Sequence, residues 1–477
     1  MFINMKNMTL QNIATACGGI YYGTEADKEK EITGVVIDNR LIEKDYLFIA
    51  IKGARVDGHS FIPSAFEAGA LAVLSEHELE NPAGPYILVE SCEAALKRIA
   101  AFYRQSLDIK VVGITGSVGK TSTKEMIASV LAQKYNVHKT AGNFNNEIGL
   151  PLTILKIRDE HEVAVLEMGI SDFGEMHRLA EIANPDICVI TNIGLCHLEN
   201  LIDRDGILKA KTECFAHMKP NGVAVLNGDD DKLCTQTEVN GRKAVFYGIV
   251  REGDGSKAEG CITEKGIYAV NVEAIGLTGT KAEIHVQMSD DGLQEEVFEA
   301  EIPIAGEHNV YNALAAVGVA RELGLNTAEM KRGIEAVQTI GGRSNLIHRN
   351  GLTIIDDCYN ANPVSMKASI DVLSKAEGRK IAVLGDMGEL GAEERKLHFG
   401  VGEHFAQKGI DMLFCAGELS MEIVSGVVLA SPDTQVHYFG TKEALIEELK
   451  NTCQEGDTIL VKASHFMNFP KIVEALQ

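Results

Sequence analysis

Tryptophan is absent from the 477 residues, and proline is scarce at 10. No apolar run reaches the ~18 residues that a membrane-crossing helix needs, so no transmembrane span is expected. The opening Met1-Phe2-Ile3-Asn4-Met5-Lys6 lacks the basic-then-apolar layout of a secretory leader. Positive charge is in deficit: 45 lysines and arginines face 68 aspartates and glutamates, a net charge of −23. Such a surface argues against nonspecific binding to nucleic acid or to an anionic membrane. It leaves room for a local basic pocket around a small phosphorylated ligand. The 10 cysteines form no C-x-x-C pair and no metal-ligand spacing. They read as thiols in a reducing cytoplasm rather than as disulfides.

What is present is ordinary for a soluble enzyme, with 45% apolar and 24% charged residues. At ~100–200 residues per domain the length allows two to four domains, with three as the central value. The 46 glycines fit the tight turns of α/β proteins with loop-built sites. Residues 1–107 hold short apolar runs at 46–51 and 86–89 around a helical stretch at 64–69, which predicts a small α/β domain. A helix is expected over 94–105. Beyond it, apolar runs at 111–115, 163–166, 187–190 and 223–226 alternate with helical patterns. That rhythm predicts a parallel sheet covered on both faces. Residues 253–301 alternate polar and apolar, as an antiparallel subsheet would. The βα rhythm returns at 352–355, 380–384, 412–415 and 458–461, after a break at Gly341-Gly342.

The sharpest motif is Gly116-Ser117-Val118-Gly119-Lys120-Thr121-Ser122, between a strand and a helix. Glycines let successive backbone N–H groups face phosphate oxygens, and the helix N-terminus adds positive potential. Lys120 can bridge terminal phosphates, and the Thr121 hydroxyl can ligate Mg²⁺. The eight-residue pattern wants glycine where Ile114 stands, so this is a shortened variant. An Asn-Lys-x-Asp base-reading motif is absent, which weakens a GTPase reading. Glu167 ends the run at 163–166, at the carboxyl end of a parallel strand, where such sheets bind ligands and where it could hold Mg²⁺. His197 follows another strand in the same way. On the residues alone, a helix-end charge for Glu167 and a structural role for His197 stay open.

These residues resemble one family, the Mur ligases, the ATP-dependent amide-forming enzymes of peptidoglycan synthesis. The match runs along essentially the whole chain. It includes the phosphate loop, Asn192-Ile193-Gly194 with His197, and Gly306-Glu307-His308-Asn309 with Asn312. Three further stretches resemble the member that adds D-alanyl-D-alanine to UDP-N-acetylmuramoyl-tripeptide. They are Gly142-Asn143-Phe144-Asn145-Asn146-Glu147, Asp356-Asp357-Cys358-Tyr359-Asn360-Ala361-Asn362, and Gly385-Asp386-Met387-Gly388-Glu389-Leu390.

The resemblance implies an α/β chain of three domains. The small N-terminal domain, 1–107, would bind the UDP end of the substrate. The central domain, 108–338, would bind ATP on a doubly wound, mostly parallel P-loop sheet. The Rossmann-like C-terminal domain, 339–477, would close over the site. Gly116, Ser117, Val118, Gly119, Lys120, Thr121 and Ser122 would cradle the phosphates. Asn309 or Asn312 would pair with adenine, and Asp357, in preference to Asp356, would take the ribose. Thr121 and Glu167 would serve one Mg²⁺, and His197 with Lys211, carbamylated as in the family, the other. Lys120 and Arg343 would carry charge on the γ-phosphate.

Substrate contacts would come from Asn39, Arg40, Asp57, Gly58, His59, Asn145, Asn146, Tyr359, Asn360 and Asn362. The implied protein is a cytoplasmic monomer with small-molecule substrates, without nucleic acid or membrane insertion. A hinge near 339–342 would hold Arg343 too far from Lys120 to share a phosphate until ligands bind. Three positions depart from the family: Asn39 replaces a serine, Ile202-Asp203 a Gly-Ser, and Asn468 a glutamate. They bear on the acceptor and the UDP-sugar more than on the reaction. A paralogue acting on another carboxylate, a folate-type glutamate ligase and a non-catalytic nucleotide-binding chain are the alternatives.

Overall fold

A computed structural model describes residues 5–251, 265–288 and 294–477. Residues 1–4, and 253–264 and 289–293 of the stretch read as an antiparallel subsheet, lie outside them. Three sheets follow one another along the chain. The first has five strands: β1 Ile20–Tyr22, β2 Gly34–Val36, β3 Tyr46–Ile49, β4 Ala72–Ser75 and β5 Tyr86–Leu88. Their order is β1-β5-β4-β3-β2, and only the β1–β5 pair is antiparallel. Helix Cys92–Ser106 begins on Ser91, whose hydroxyl accepts from Ala94 N. It buries Cys92, Leu96, Ile99 and Tyr103, spaced four, three and four apart, on one face. Tyr103 Oη donates to Ile157 O at 2.7 Å and Arg104 Nε to Ala183 O at 3.0 Å, tying this helix to the second sheet. One apolar core runs through both regions.

The second sheet holds β6 Lys110–Thr115, β7 Val137–Lys139, β8 Val163–Glu167, β9 Ile187–Ile190 and β10 Val223–Asn227. After a small hairpin, β11 Glu238–Val239 with β12 Arg242–Lys243, come β13 Val245–Ile249, β14 Ile267–Ile275, β15 Gly279–Gln287 and β16 Glu295–Ile302. The order is β16-β15-β14-β13-β10-β9-β6-β8-β7. Strands β7, β8, β6, β9, β10, β13 and β14 pair parallel in turn, and β14, β15 and β16 pair antiparallel. Strands β8 and β9 are buried at every position, which is why they read as continuous Val/Ile/Leu runs. The chain leaves β6 for β7 and β8 on one side and returns to β9 on the other. This switch point opens a crevice at the carboxyl ends of β6, β8 and β9.

The third sheet is β17 Asn345–Arg349, β18 Leu352–Asp356, β19 Lys380–Gly385, β20 Met412–Ala416, β21 Gln435–Phe439 and β22 Thr458–Lys462. Its order is β17-β18-β22-β19-β20-β21, parallel except for β17 against β18. Apolar clusters fill both of its faces. Among the described residues, no helix is long and apolar enough to cross a membrane. Among the described residues eight cysteines are free thiols, and Cys234, against the sequence expectation, is disulfide-bonded.

Candidate active site

The phosphate loop turns directly out of β6. Gly116 has φ 146° and is held so tightly that an added Cβ would lie 1.9 Å from Thr191 Oγ1. Gly119, φ 83°, begins helix Lys120–Leu131 with no side-chain cap, leaving its first N–H groups free for an anion. The segment after β9 stitches the loop in place. Asn192 Oδ1 accepts from Val118 N at 3.0 Å, and Asn192 Nδ2 donates to Val118 O at 3.0 Å. Ser117 Oγ donates to Gly194 O at 3.1 Å. Lys120 Nζ donates to Gly116 O at 2.8 Å, so the ammonium folds back over the loop.

Glu167 closes β8 beside the loop. Its Oε1 accepts from Thr121 Oγ1 at 3.2 Å and from Asn145 Nδ2 at 2.8 Å. Its Oε2 is buried without a hydrogen bond, and Lys124 Nζ stands 3.8 Å away. A buried carboxylate oxygen left unpaired next to a threonine hydroxyl suits a hard cation, with phosphate and water oxygens completing its shell. Among the described residues no three His, Cys, Asp or Glu side chains cluster as a closed metal cage. Lys211, from helix Arg204–Thr212, is fully buried and its Nζ has no partner. Burial, then the nearby Lys120 charge, pushes its amine down to about 8. His197 lies at the cavity wall in a left-handed conformation, φ 51°.

The third sheet supplies the opposite wall. Arg343 Nη2 donates to Thr121 Oγ1 at 3.1 Å, and its guanidinium lies 4.2 Å from the Tyr359 ring centroid. Asp357 Oδ2 accepts from Lys462 Nζ at 2.6 Å and from Ser369 Oγ at 2.5 Å. The two walls enclose a cavity of about 720 Å³ that takes in Lys120, Thr121, His197, Asn312, Arg343 and Asp357. In this structure Arg343 reaches the phosphate loop. The Thr121 hydroxyl and the Tyr359 face hold the guanidinium across the gap, while its Nε is buried without a hydrogen-bond partner.

The other candidate residues divide. Asn145, Asn146, Tyr359, Asn360 and Asn362 line the same cavity, as Asp357 does and Asp356 does not. Asn362 also caps helix Pro363–Ser374, accepting from Ser365 N at 2.9 Å. Asn312 lines the cavity, and Asn309 sits behind it. Asn312 Nδ2 donates to Asn309 Oδ1 at 2.9 Å, and Thr123 Oγ1 donates to Asn312 Oδ1 at 2.8 Å. Asn309 thus orients its neighbour. Asn39, Arg40, Asp57, Gly58 and His59 lie on the first sheet's loops, outside this cavity. Both His59 ring nitrogens are taken, by Asp57 at 2.7 Å and by Glu76 N at 2.9 Å.

Lys124 and Lys462 were overlooked in the sequence. Lys462 had a visible signal, since it ends an apolar parallel strand as Glu167 does. Lys124, one helical turn beyond Lys120, had none, because only packing buries it.

Three family profiles match in order: "Mur ligase family, catalytic domain" over 31–104, "Mur ligase middle domain" over 114–320, and "Mur ligase, glutamate ligase domain" over 342–465. The UDP-N-acetylmuramoyl-tripeptide–D-alanyl-D-alanine ligase of Bacillus subtilis is 38% identical over 99% of both chains. A crystal structure of MurF from Acinetobacter baumannii covers 98% of both chains at 30% identity with a TM-score of 0.85. MurF ligase from Thermotoga maritima, solved in complex with ADP, covers 93% of this chain and 96% of its own at 30% identity with a TM-score of 0.79. Likeness of that extent, on top of a phosphate loop facing an arginine from a third sheet, makes this chain a member of the Mur ligase family.

Proposed function

We propose that the chain joins D-alanyl-D-alanine to the terminal carboxylate of UDP-N-acetylmuramoyl-tripeptide, with ATP as the energy source, as a cytoplasmic step in peptidoglycan precursor synthesis. The observation that carries this reading is the meeting of Lys120 and of Thr121, backed by Glu167, with Arg343 and Asp357 around one cavity. A carboxylate does not acylate amines, because oxide is a poor leaving group. Transfer of the γ-phosphoryl group to it gives an acyl phosphate and ADP. The dipeptide amine then attacks the carbonyl carbon, losing a proton, and phosphate departs as the amide forms.

The difficult moment is the approach of two anions, carboxylate and γ-phosphate. Lys120 and Arg343 neutralise the charge spread over the transferring group. Tyr359 keeps the guanidinium flat and in place. Asn312 meets the adenine edge, with Asn309 fixing which way its amide points, and Asp357 meets the ribose. Thr121 and Glu167 are the residues that would hold one Mg²⁺, and His197 with carbamylated Lys211 a second. Bound there, Mg²⁺ would offset phosphate charge as a Lewis acid. Lys211 suits carbamylation because its buried amine is kept largely free of a competing partner.

The domains run 1–107, 108–338 and 339–477 in this reading. The first binds the UDP end through Asn39, Arg40, Asp57, Gly58 and His59, away from the chemistry. Phosphate release with ATP, UDP-N-acetylmuramoyl-tripeptide and D-alanyl-D-alanine tests the proposal. Release that requires all three, with the ligated product found by mass, is expected. A folded enzyme that hydrolyses ATP only with a different acceptor would overturn it.

A further inference from the structure

One contact between the two walls has no role so far. Glu389, in the loop after β19, places Oε2 2.7 Å from His197 Nδ1. Both residues are in the left-handed region, Glu389 at φ 62° and His197 at φ 51°. Non-glycine residues are uncommon there and persist where the surroundings impose them. The same loop continues onto the segment that carries the histidine. A Cβ added at Gly391 would stand 3.8 Å from Leu198 Cβ and 3.9 Å from Glu199 N. The third-sheet loop is therefore seated on His197–Glu199, with the Glu389 carboxylate on the imidazole.

A carboxylate oxygen at that distance accepts, so the Nδ1 nitrogen carries the hydrogen. In the neutral ring the lone pair then sits on Nε2. A histidine that binds a cation commonly has its other nitrogen fixed in this way by a carboxylate. Here that carboxylate belongs to a different sheet from the histidine. We infer that Glu389 is a positioning residue: when the third domain docks, it sets the His197 tautomer that presents Nε2 as an acceptor, so docking itself completes the histidine's contribution to the site. The inference rests on the reading of His197 as a cation ligand given above.

The test compares Glu389→Ala and Glu389→Gln in the full chain. Gln can still accept from Nδ1–H through its amide oxygen; Ala cannot. The first readout is the ¹⁵N spectrum of ring-labelled histidine, with the His197 signals identified by their loss in His197→Gln. The wild type and Glu389→Gln should show Nδ1 protonated, and Glu389→Ala should shift the His197 ring toward the Nε2–H tautomer. The second readout is turnover: Glu389→Ala should lower kcat about 10- to 100-fold, with KM for ATP changed less than threefold, and Glu389→Gln should recover most of it. An unchanged His197 tautomer in Glu389→Ala, or a loss confined to KM, overturns the inference. A wild type that fails to ligate would overturn the functional reading instead, and the tautomer measurement stands apart from that outcome.

Discussion

Replacing Lys211 by methionine should make the protein more stable while abolishing ligation. The Lys211 side chain is fully buried and its Nζ has no hydrogen-bond partner. Its amine falls from the ordinary 10.5 to about 8, chiefly through burial and then through the Lys120 charge. At about 1.4 kcal/mol per pK unit, holding the protonated amine there disfavours the folded state by about 3 kcal/mol at pH 7. Methionine removes that charge and nearly fills the space, with about 1 kcal/mol lost to imperfect packing. A net gain of about 2 kcal/mol is expected in bicarbonate-depleted buffer, measured by urea unfolding. The pH dependence has a definite sign. Between about 8 and 10.5 the unfolded chain holds the proton and the folded chain does not, so wild-type stability rises with pH across that window. Lys211→Met should lack this rise. Bicarbonate should stabilise the wild type and not the variant, because carbamylation turns the stranded cation into an anion beside Lys120. If Lys211→Met is less stable than wild type in bicarbonate-depleted buffer at pH 7, the amine is not a buried unpaired cation and the reasoning fails.

Lys120→Ala should leave the unfolding transition unchanged and reduce ligation by about three orders of magnitude, read as phosphate release, since its one hydrogen bond is to its own loop. Asn309→Ala strips a partner from the buried Asn312 amide and should cost about 1–3 kcal/mol in urea unfolding. It should also raise KM for ATP more than it lowers kcat; an unchanged KM would detach Asn312 from adenine. Ile202, exposed and β-branched, has φ 71° and ψ −61°, and Asp203 N donates to Leu201 O at 2.8 Å across it, a strained three-residue turn. Ile202→Gly should therefore stabilise the chain by about 1 kcal/mol, and a loss of stability on denaturation would contradict the strain.

The long strands were legible because parallel strands buried on both faces read as unbroken apolar runs. Strands β8, β9 and β22 were visible in this way. Of the three-residue strands, β5 was visible as an apolar run, whereas β1, β2 and β7 were not, since so few residues carry no period. Gly116 was legible as part of a motif, but the reason only glycine fits, the Thr191 hydroxyl behind it, is a tertiary contact. His59 was named through the resemblance alone, and nothing in the sequence told that Asp57 and Glu76 N occupy both of its ring nitrogens. Arg343 was found by resemblance, but its bond to the Thr121 hydroxyl had no signal in the sequence. Glycines at a boundary reveal that a hinge can move, and only packing decides where it rests.

The charge balance of the site explains how a strongly acidic chain can bind an acidic nucleotide. At physiological salt, charges more than ~8 Å apart are largely screened, so the −23 of the whole protein matters less than the groups at the cavity. Several of those groups cancel locally. Lys462 is paired with Asp357 at 2.6 Å, and Lys124 lies between Glu125 at 3.2 Å and Glu167 at 3.8 Å. The remaining cations are not cancelled in this way. Lys120 rests on a backbone carbonyl, Arg343 on a hydroxyl and an aromatic face, and Lys211 on nothing. Three positive charges that lack carboxylate partners therefore gather about the phosphate loop, where the proposed triphosphate would end. Carbamylation of Lys211 replaces a cation by an anion and lowers that local sum by two. Lys120 and Arg343 stay free for phosphate, and a divalent cation becomes the natural counterion for the carbamate and Glu167. The modification would thus move the site from one that holds anions to one that holds an anion and a metal ion together, which acyl phosphate formation requires.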